Sequence, residues 1–191
     1  MKDLIFATNN QHKVDEMRTV LGNNFDIITL REAGIDINIP EPYDTLEANA
    51  SEKSRVICNL TNKDCFSEDT GLEVKALNGE PGVKSARYAG EGRSFANNIE
   101  KLLKNLKEKT DRSARFRTII SLRLNGKEFL FEGICEGDIT DHVSGKKGFG
   151  YDSVFRPAGS ECTFAEMDME EKNVYSHRRK AMDKMIMFLK V

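Results

Sequence analysis

Four polar segments hold the residues able to do chemistry, and each falls where an apolar run ends or a helical period begins. In Thr8-Asn9-Asn10-Gln11-His12-Lys13, main-chain N–H groups, a helix dipole and the Lys13 ammonium would face an anion together. The same residues also suit a plain helix cap. Ser67-Glu68-Asp69-Thr70-Gly71 sets two adjacent carboxylates at a strand end, either donors for a hard cation or turn formers. Glu41, between Pro40 and Pro42, is a further carboxylate on a loop. In Gly148-Phe149-Gly150-Tyr151-Asp152, glycines beside aromatics let a backbone approach a flat ligand while a ring stacks on it; a β-turn with core aromatics fits equally. Last, Lys172 and Arg178 would contribute to a triphosphate clamp, and His177 with Arg178 can donate to carbonyl oxygens, unless the run is a solvated helix start. His142 has no acidic or nucleophilic neighbour and reads as a surface residue.

The elements that must position these residues follow from periodicity. Asp3 to Thr8 reads as a buried strand, and from Asn10 the period changes, with Val14, Met17, Val20 and Leu21 on one helical face. Asn9 or Asn10 would cap that helix, and Asp26 to Leu30 is a second strand. Pro40 and Pro42 precede a helix expected from Asp44 to Leu60, with Asp44 and Glu47 at capping-box spacing. Cys65 to Glu68 is a short strand, Leu72 to Leu77 resumes extended character, and Ser94 caps a helix carrying Ile99, Leu102, Leu103 and Leu106. Phe116, Thr118, Ile120, Leu122 and Leu124 alternate with Arg115, Arg117, Ser121 and Arg123; Asn125-Gly126 then supplies a type I′ turn into a partner strand from Phe129 to Ile139. A short strand over Ser153 to Phe155 and a helix from Ser176 with Met182, Met185, Ile186 and Leu189 inward complete an α/β chain around a mixed sheet.

Composition narrows the function. The 191 residues fit one domain, 1–191, and the 29 Lys plus Arg against 31 Asp plus Glu leave no global basic field, so no nucleic-acid partner is expected. No apolar run is long enough for a signal-peptide core or a membrane span. Cys58, Cys65, Cys135 and Cys162 lack C-x-x-C or zinc-ligand spacing and read as buried free thiols in a reducing, cytoplasmic compartment. The P-loop, Rossmann fingerprint, nucleophile elbow and H-E-x-x-H motifs are all missing.

Taken in order, the segments resemble the Ham1/inosine triphosphatase family of purine nucleoside triphosphate pyrophosphatases. Thr8 to Lys13 with Glu16 is similar to its T-x-N-x-x-K-x-x-E opening, and Thr45-Leu46-Glu47-Ala48-Asn49-Ala50 with Lys53 to its T-F-x-E-N-A-x-x-K helix. Glu68-Asp69-Thr70-Gly71-Leu72, Pro81 to Gly90, Gly148 to Asp152, and Glu171-Lys172 with Ser176-His177-Arg178 resemble [ED]-D-[ST]-G-L, P-G-x-x-S-A-R-Y-A-G, G-F-G-Y-D and E-K-x-x-x-S-H-R. Asn9 departs from a common glycine, and Ala48 from a common glutamate.

The resemblance implies an elongated, two-lobed α/β fold around a long mixed sheet with flanking helices and a central cleft, assembled as a homodimer. It implies Mg2+-dependent hydrolysis of deaminated purine nucleoside triphosphates (ITP, dITP, XTP) to the monophosphate and pyrophosphate. Glu41 and Asp69 would hold Mg2+, with Glu68 as an outer partner, and Asp69 would orient or deprotonate the water while Lys53 assists catalysis. Lys13, Lys53 and Lys172 would hold the phosphates together with Thr8, Asn10 and main-chain N–H groups, and Asn9, Gln11, His12 and Thr70 would also bind substrate. Phe149, Gly150, Tyr151 and Asp152 would receive the base, with Phe149 or Tyr151 stacking on it, and His177 and Arg178 would read its 6-oxo group. Two rivals are a nucleotide sensor that binds without hydrolysis and a single-stranded RNA binder using Arg115, Arg117 and Arg123, with which few aromatics interleave and which has no basic overall balance behind it.

Overall fold

The computed structural model describes residues 2–21 and 25–190. The elements are β1 (Lys2–Phe6), α1 (Gln11–Leu21), β2 (Phe25–Thr29), α2 (Leu46–Thr61), β3 (Cys65–Val74), β4 (Pro81–Gly82), α3 (Phe95–Asn105), β5 (Ser113–Leu124), β6 (Lys127–Ile139), β7 (Phe155–Pro157), α4 (Met169–Tyr175) and α5 (His177–Leu189). Among the described residues the strands form one seven-stranded mixed sheet in the order β2-β1-β3-β5-β6-β7, with β4 beside β3. The expected α/β class, mixed sheet and flanking helices are thus observed. No helix of the described residues is long and apolar enough to cross a membrane.

The chain forms two compact units, the first comprising Met1–Asp69, Thr118–Gly133 and Arg178–Val191, the second Thr70–Arg117 and Ile134–His177. In the first, β1 runs parallel to β2, with Leu4 opposite Ile27, and to β3, with Phe6 opposite Phe66. Alternation of side chains across a strand sorts its residues to two faces. Leu4, Phe6 and Phe66 pack with Val14 and Met17 of α1 and with Met182 and Met185 of α5. Ile5, Ala7 and Cys65 pack with Ile57 of α2. The inward face read for α1 holds for Val14 and Met17; the Leu21 side chain, the Asp3 side chain and Met1 lie outside the described set. The second unit has its own core, in which Phe116, Phe155 and Phe164 meet beside Leu72, Leu102, Leu106 and Tyr151.

Several expectations are corrected. Helix α2 begins later than Asp44: Thr45 is the cap, its hydroxyl accepting from the Ala48 N–H at 3.2 Å. The pair of short strands around Asp69 is one continuous β3, and the strand expected at Ser153 begins at Phe155. Cys65 and Cys135 are buried, but Cys58 is half-buried and Cys162 is exposed. An unread helix, α4, is fixed by a capping box in which Asp168 and Glu171 bond each other's main-chain N–H groups. Asn125 and Gly126 both take positive φ, as the type I′ turn demands.

Candidate active site

Glu68 and Asp69 lie within β3 rather than at its end. β3 pairs with β1 at Cys65 and Phe66 and with β4 at Leu72 and Glu73, so the carboxylates fall in the stretch between those two registers. Because strand neighbours face opposite ways, the two serve different groups.

Asp69 faces α2. There Lys53 donates from Nζ to Asp69 Oδ1 at 2.8 Å and to Glu41 Oε1 at 2.6 Å. Burial alone would pull the Lys53 ammonium down, but Asp69 and Glu41 outweigh it and hold it above its ordinary value. Burial pushes the Asp69 carboxyl up, against Lys53 and Lys13, and the net direction is upward. Among the described residues no group of three or more His, Cys, Asp or Glu side chains gathers for a metal. Two converging carboxylates that already enclose a cationic head are nevertheless a hard-oxygen pair of the kind magnesium uses when substrate phosphates and waters complete its shell. Glu41 and Asp69 therefore fit that ion.

Glu68 faces the other way, toward α1 and α5. Its Oε1 lies 2.5 Å from Lys13 Nζ, and Arg178 Nε donates to its Oε2 at 2.9 Å. Arg178 Nη1 also pairs with Glu16 of α1. Burial works to raise the Glu68 carboxyl, yet Arg178 and Lys13 carry it well below its ordinary value. Glu68, expected as an outer partner of the Asp69 cation, is here the counter-charge that aims Lys13 and anchors the first turn of α5. Arg178, expected to read a base through its side chain, has its Nε and Nη1 turned to Glu68 and Glu16.

The Thr8–Lys13 segment is the turn from β1 into α1. Thr8 Oγ1 accepts from the Asn10 N–H at 3.2 Å and Asn10 Oδ1 accepts from the Lys13 N–H at 3.4 Å, so Asn10 is the cap. Asn9 donates to the Ile37 carbonyl and Gln11 to Asp15, while His12 is exposed. An open cavity of about 590 Å³ adjoins this turn, lined in part by Thr8, Asn9, Gln11, Thr29 and Arg31.

The second unit holds the other expected residues, Thr70 among them, half-buried on β3. Asp152 is buried and accepts from the Phe149 N–H at 3.0 Å and from Lys172 Nζ at 2.6 Å. Gly148 has a φ of +72°, and a Cβ there would come within 2.1 Å of Asp152 Oδ2, so the turn requires glycine. Phe149 is half-buried, with Lys172 Nζ 5.4 Å from its ring centre. Tyr151 is buried, and its hydroxyl donates to the Ser85 carbonyl at 2.8 Å. Of the two rings expected to stack, Phe149 is half-buried, and Tyr151 is a core anchor. Lys172, expected on the phosphates, is buried in the Phe149–Asp152 turn. His177 is buried too, stacked on Phe116 with centroids 4.6 Å apart.

The hairpin arginines meet acceptors within their own units. Arg115 donates to Glu73 at 2.7 Å, and Arg123 donates to Ser54 Oγ at 3.0 Å. Sequence reading missed Glu16 and Asn49 as site-building residues, although both stand inside recognised segments. Their signal was a polar residue one helical turn from a lysine of the expected site.

A model described as the Ham1 family matches residues 4–188. A dITP/XTP pyrophosphatase of Flavobacterium johnsoniae is 46% identical over 96% of this chain and 95% of its own. One from Staphylococcus epidermidis is 43% identical over 95% and 93%. Among solved structures, a HAM1 protein from Coxiella burnetii superposes with a TM-score of 0.91 at 35% identity, covering 100% of this chain and 99% of that one. The Staphylococcus aureus Ham1 protein gives 0.89 at 39% identity, covering 99% and 98%. The chain belongs to the Ham1 family.

Proposed function

We propose that this protein hydrolyses deaminated purine nucleoside triphosphates, ITP, dITP and XTP, to the monophosphate and pyrophosphate, and so cleanses the nucleotide pool. The observation that carries this reading is the convergence of Glu41 and Asp69 on Lys53, in the same unit as the Thr8–Lys13 turn. Relatives named dITP/XTP pyrophosphatase support the substrate class.

A triphosphate's negative charge repels an attacking water, so cations must meet it first. Lys13 and Lys53, with the main chain and caps of Thr8 to Asn10, take that role, helped by the positive end of α1. Magnesium, which Glu41 and Asp69 would hold, supplies Lewis-acid neutralisation of the phosphates. Asp69, its carboxyl raised by burial, is the base that orients and deprotonates water for attack at the α-phosphorus. Phe149 stacks on the base from a turn stiffened by Asp152 and Lys172. The main-chain N–H groups of His177 and Arg178, in the first turn of α5, donate to the 6-oxo group, where an adenine amino group would set donor against donor. The family's homodimeric assembly is proposed as well; sedimentation at twice the chain mass is its test.

Turnover with and without Mg2+, on ITP, XTP, dITP, GTP and ATP, tests the reading. IMP and pyrophosphate are expected only with the ion, with ATP turned over far more slowly. Tight ITP binding without turnover would favour the sensor instead.

A further inference from the structure

Glu41 must be held toward Lys53 and Asp69 although it sits on a loop. Pro40 and Pro42 fix their own φ, and Pro42 biases Glu41 toward extended backbone, so the direction of Glu41 depends on where the chain is fastened next. Asn49 fastens it. This α2 residue is 1% exposed, its Oδ1 accepts from the Tyr43 N–H at 2.9 Å, and its Nδ2 donates to the Tyr43 carbonyl at 3.0 Å. The Tyr43 side chain is itself 46% exposed, so the fastening at this position is through its main chain. Asn49 and Lys53 are one turn apart on the same helix face, and the tie therefore brings the Glu41 loop to the face that presents the ammonium.

We infer that Asn49 is a positioning residue: its amide locks Tyr43 to α2 and thereby sets Glu41 for the cation it shares with Asp69. The inference rests on the proposed role of Glu41. An amide is required because a donor and an acceptor on one residue must both be met; aspartate lacks the donor and leucine lacks both. Without the tie, ordering the loop falls to cation binding and weakens it.

The test uses the full chain and the variants Asn49→Leu, Asn49→Asp and Glu41→Gln. In the metal-free protein, hydrogen exchange at the Tyr43 amide should accelerate in Asn49→Leu. The Mg2+ concentration for half-maximal ITP turnover should rise about 10- to 100-fold, with kcat at saturating ion within about threefold of wild type. Asn49→Asp, which keeps the bond from Tyr43 N–H, should lie between, and serves if the leucine variant fails to fold. Adding Asn49→Leu to Glu41→Gln should change the ion dependence no further. Unchanged ion dependence in Asn49→Leu and Asn49→Asp, beside an impaired Glu41→Gln, would overturn the inference alone. Wild-type ion dependence in Glu41→Gln would sink the role of Glu41 and the inference with it.

Discussion

Adjacent in sequence, Glu68 and Asp69 titrate in opposite directions from their ordinary values, because one faces Arg178 and Lys13 and the other is buried beside Glu41 and a single shared lysine. Asp69→Asn should therefore lower kcat by roughly 10²–10⁴-fold in steady-state kinetics, the usual worth of a general base, with little change in thermal midpoint. Glu68 should instead register in stability. Its folded value lies below the ordinary 4.5, so it contributes stability fully present above that value and lost as pH falls through the folded one. Acid denaturation of Glu68→Gln, followed by circular dichroism, should show a shallower fall below about pH 4.5 than wild type. Phe149→Ala should raise KM for ITP by roughly 5- to 150-fold, the equivalent of about 1–3 kcal/mol of base stacking. An equal loss from Phe149→Leu would be expected too, since leucine has no π face.

At the scale of elements, α1, β3 and α5 are joined through the Glu16–Arg178–Glu68–Lys13 chain. Arg178→Met leaves two buried carboxylates short of a counter-charge and should cost about 3–5 kcal/mol in denaturant unfolding. This network was not legible in the sequence, since Arg178 meets partners 110 and 162 positions away and its charged surroundings read as a solvated helix start. The β1–α1 unit, the hairpin with its Asn-Gly turn, the Ser94 cap and the inward methionines of α5 were legible, because each rests on local periodicity or turn chemistry. Choosing between Phe149 and Tyr151 was not local: it took the Ser85 carbonyl, 66 positions away, to bury the tyrosine. Thiol labelling gives a further check on β3. Burial pushes Cys65 up to about 12, so at pH 8 it should resist a disulfide reagent that modifies Cys162 within minutes, until the chain is unfolded.

Neither unit of the whole molecule is a contiguous stretch, and β3, β5 and β6 each contribute residues to both. Each unit nevertheless has its own core, and the candidate residues divide accordingly, with Lys13 and Lys53 on the first and the Phe149–Asp152 turn on the second. Lys53 already pairs with both Glu41 and Asp69, so folding is not expected to depend on an ion there. Treatment with a chelator should abolish turnover while shifting the thermal midpoint by no more than ~2 °C, less than 1 kcal/mol for a chain of this size. Substitution of both carboxylates by amides would leave the buried Lys53 ammonium without these counter-charges and should destabilise the protein even where no ion is bound. The central claim is that water attacks the α-phosphorus, and ITP hydrolysis in ¹⁸O-labelled water tests it most directly. The account predicts one labelled oxygen in IMP and none in pyrophosphate; label in pyrophosphate, or release of orthophosphate with IDP, would contradict it.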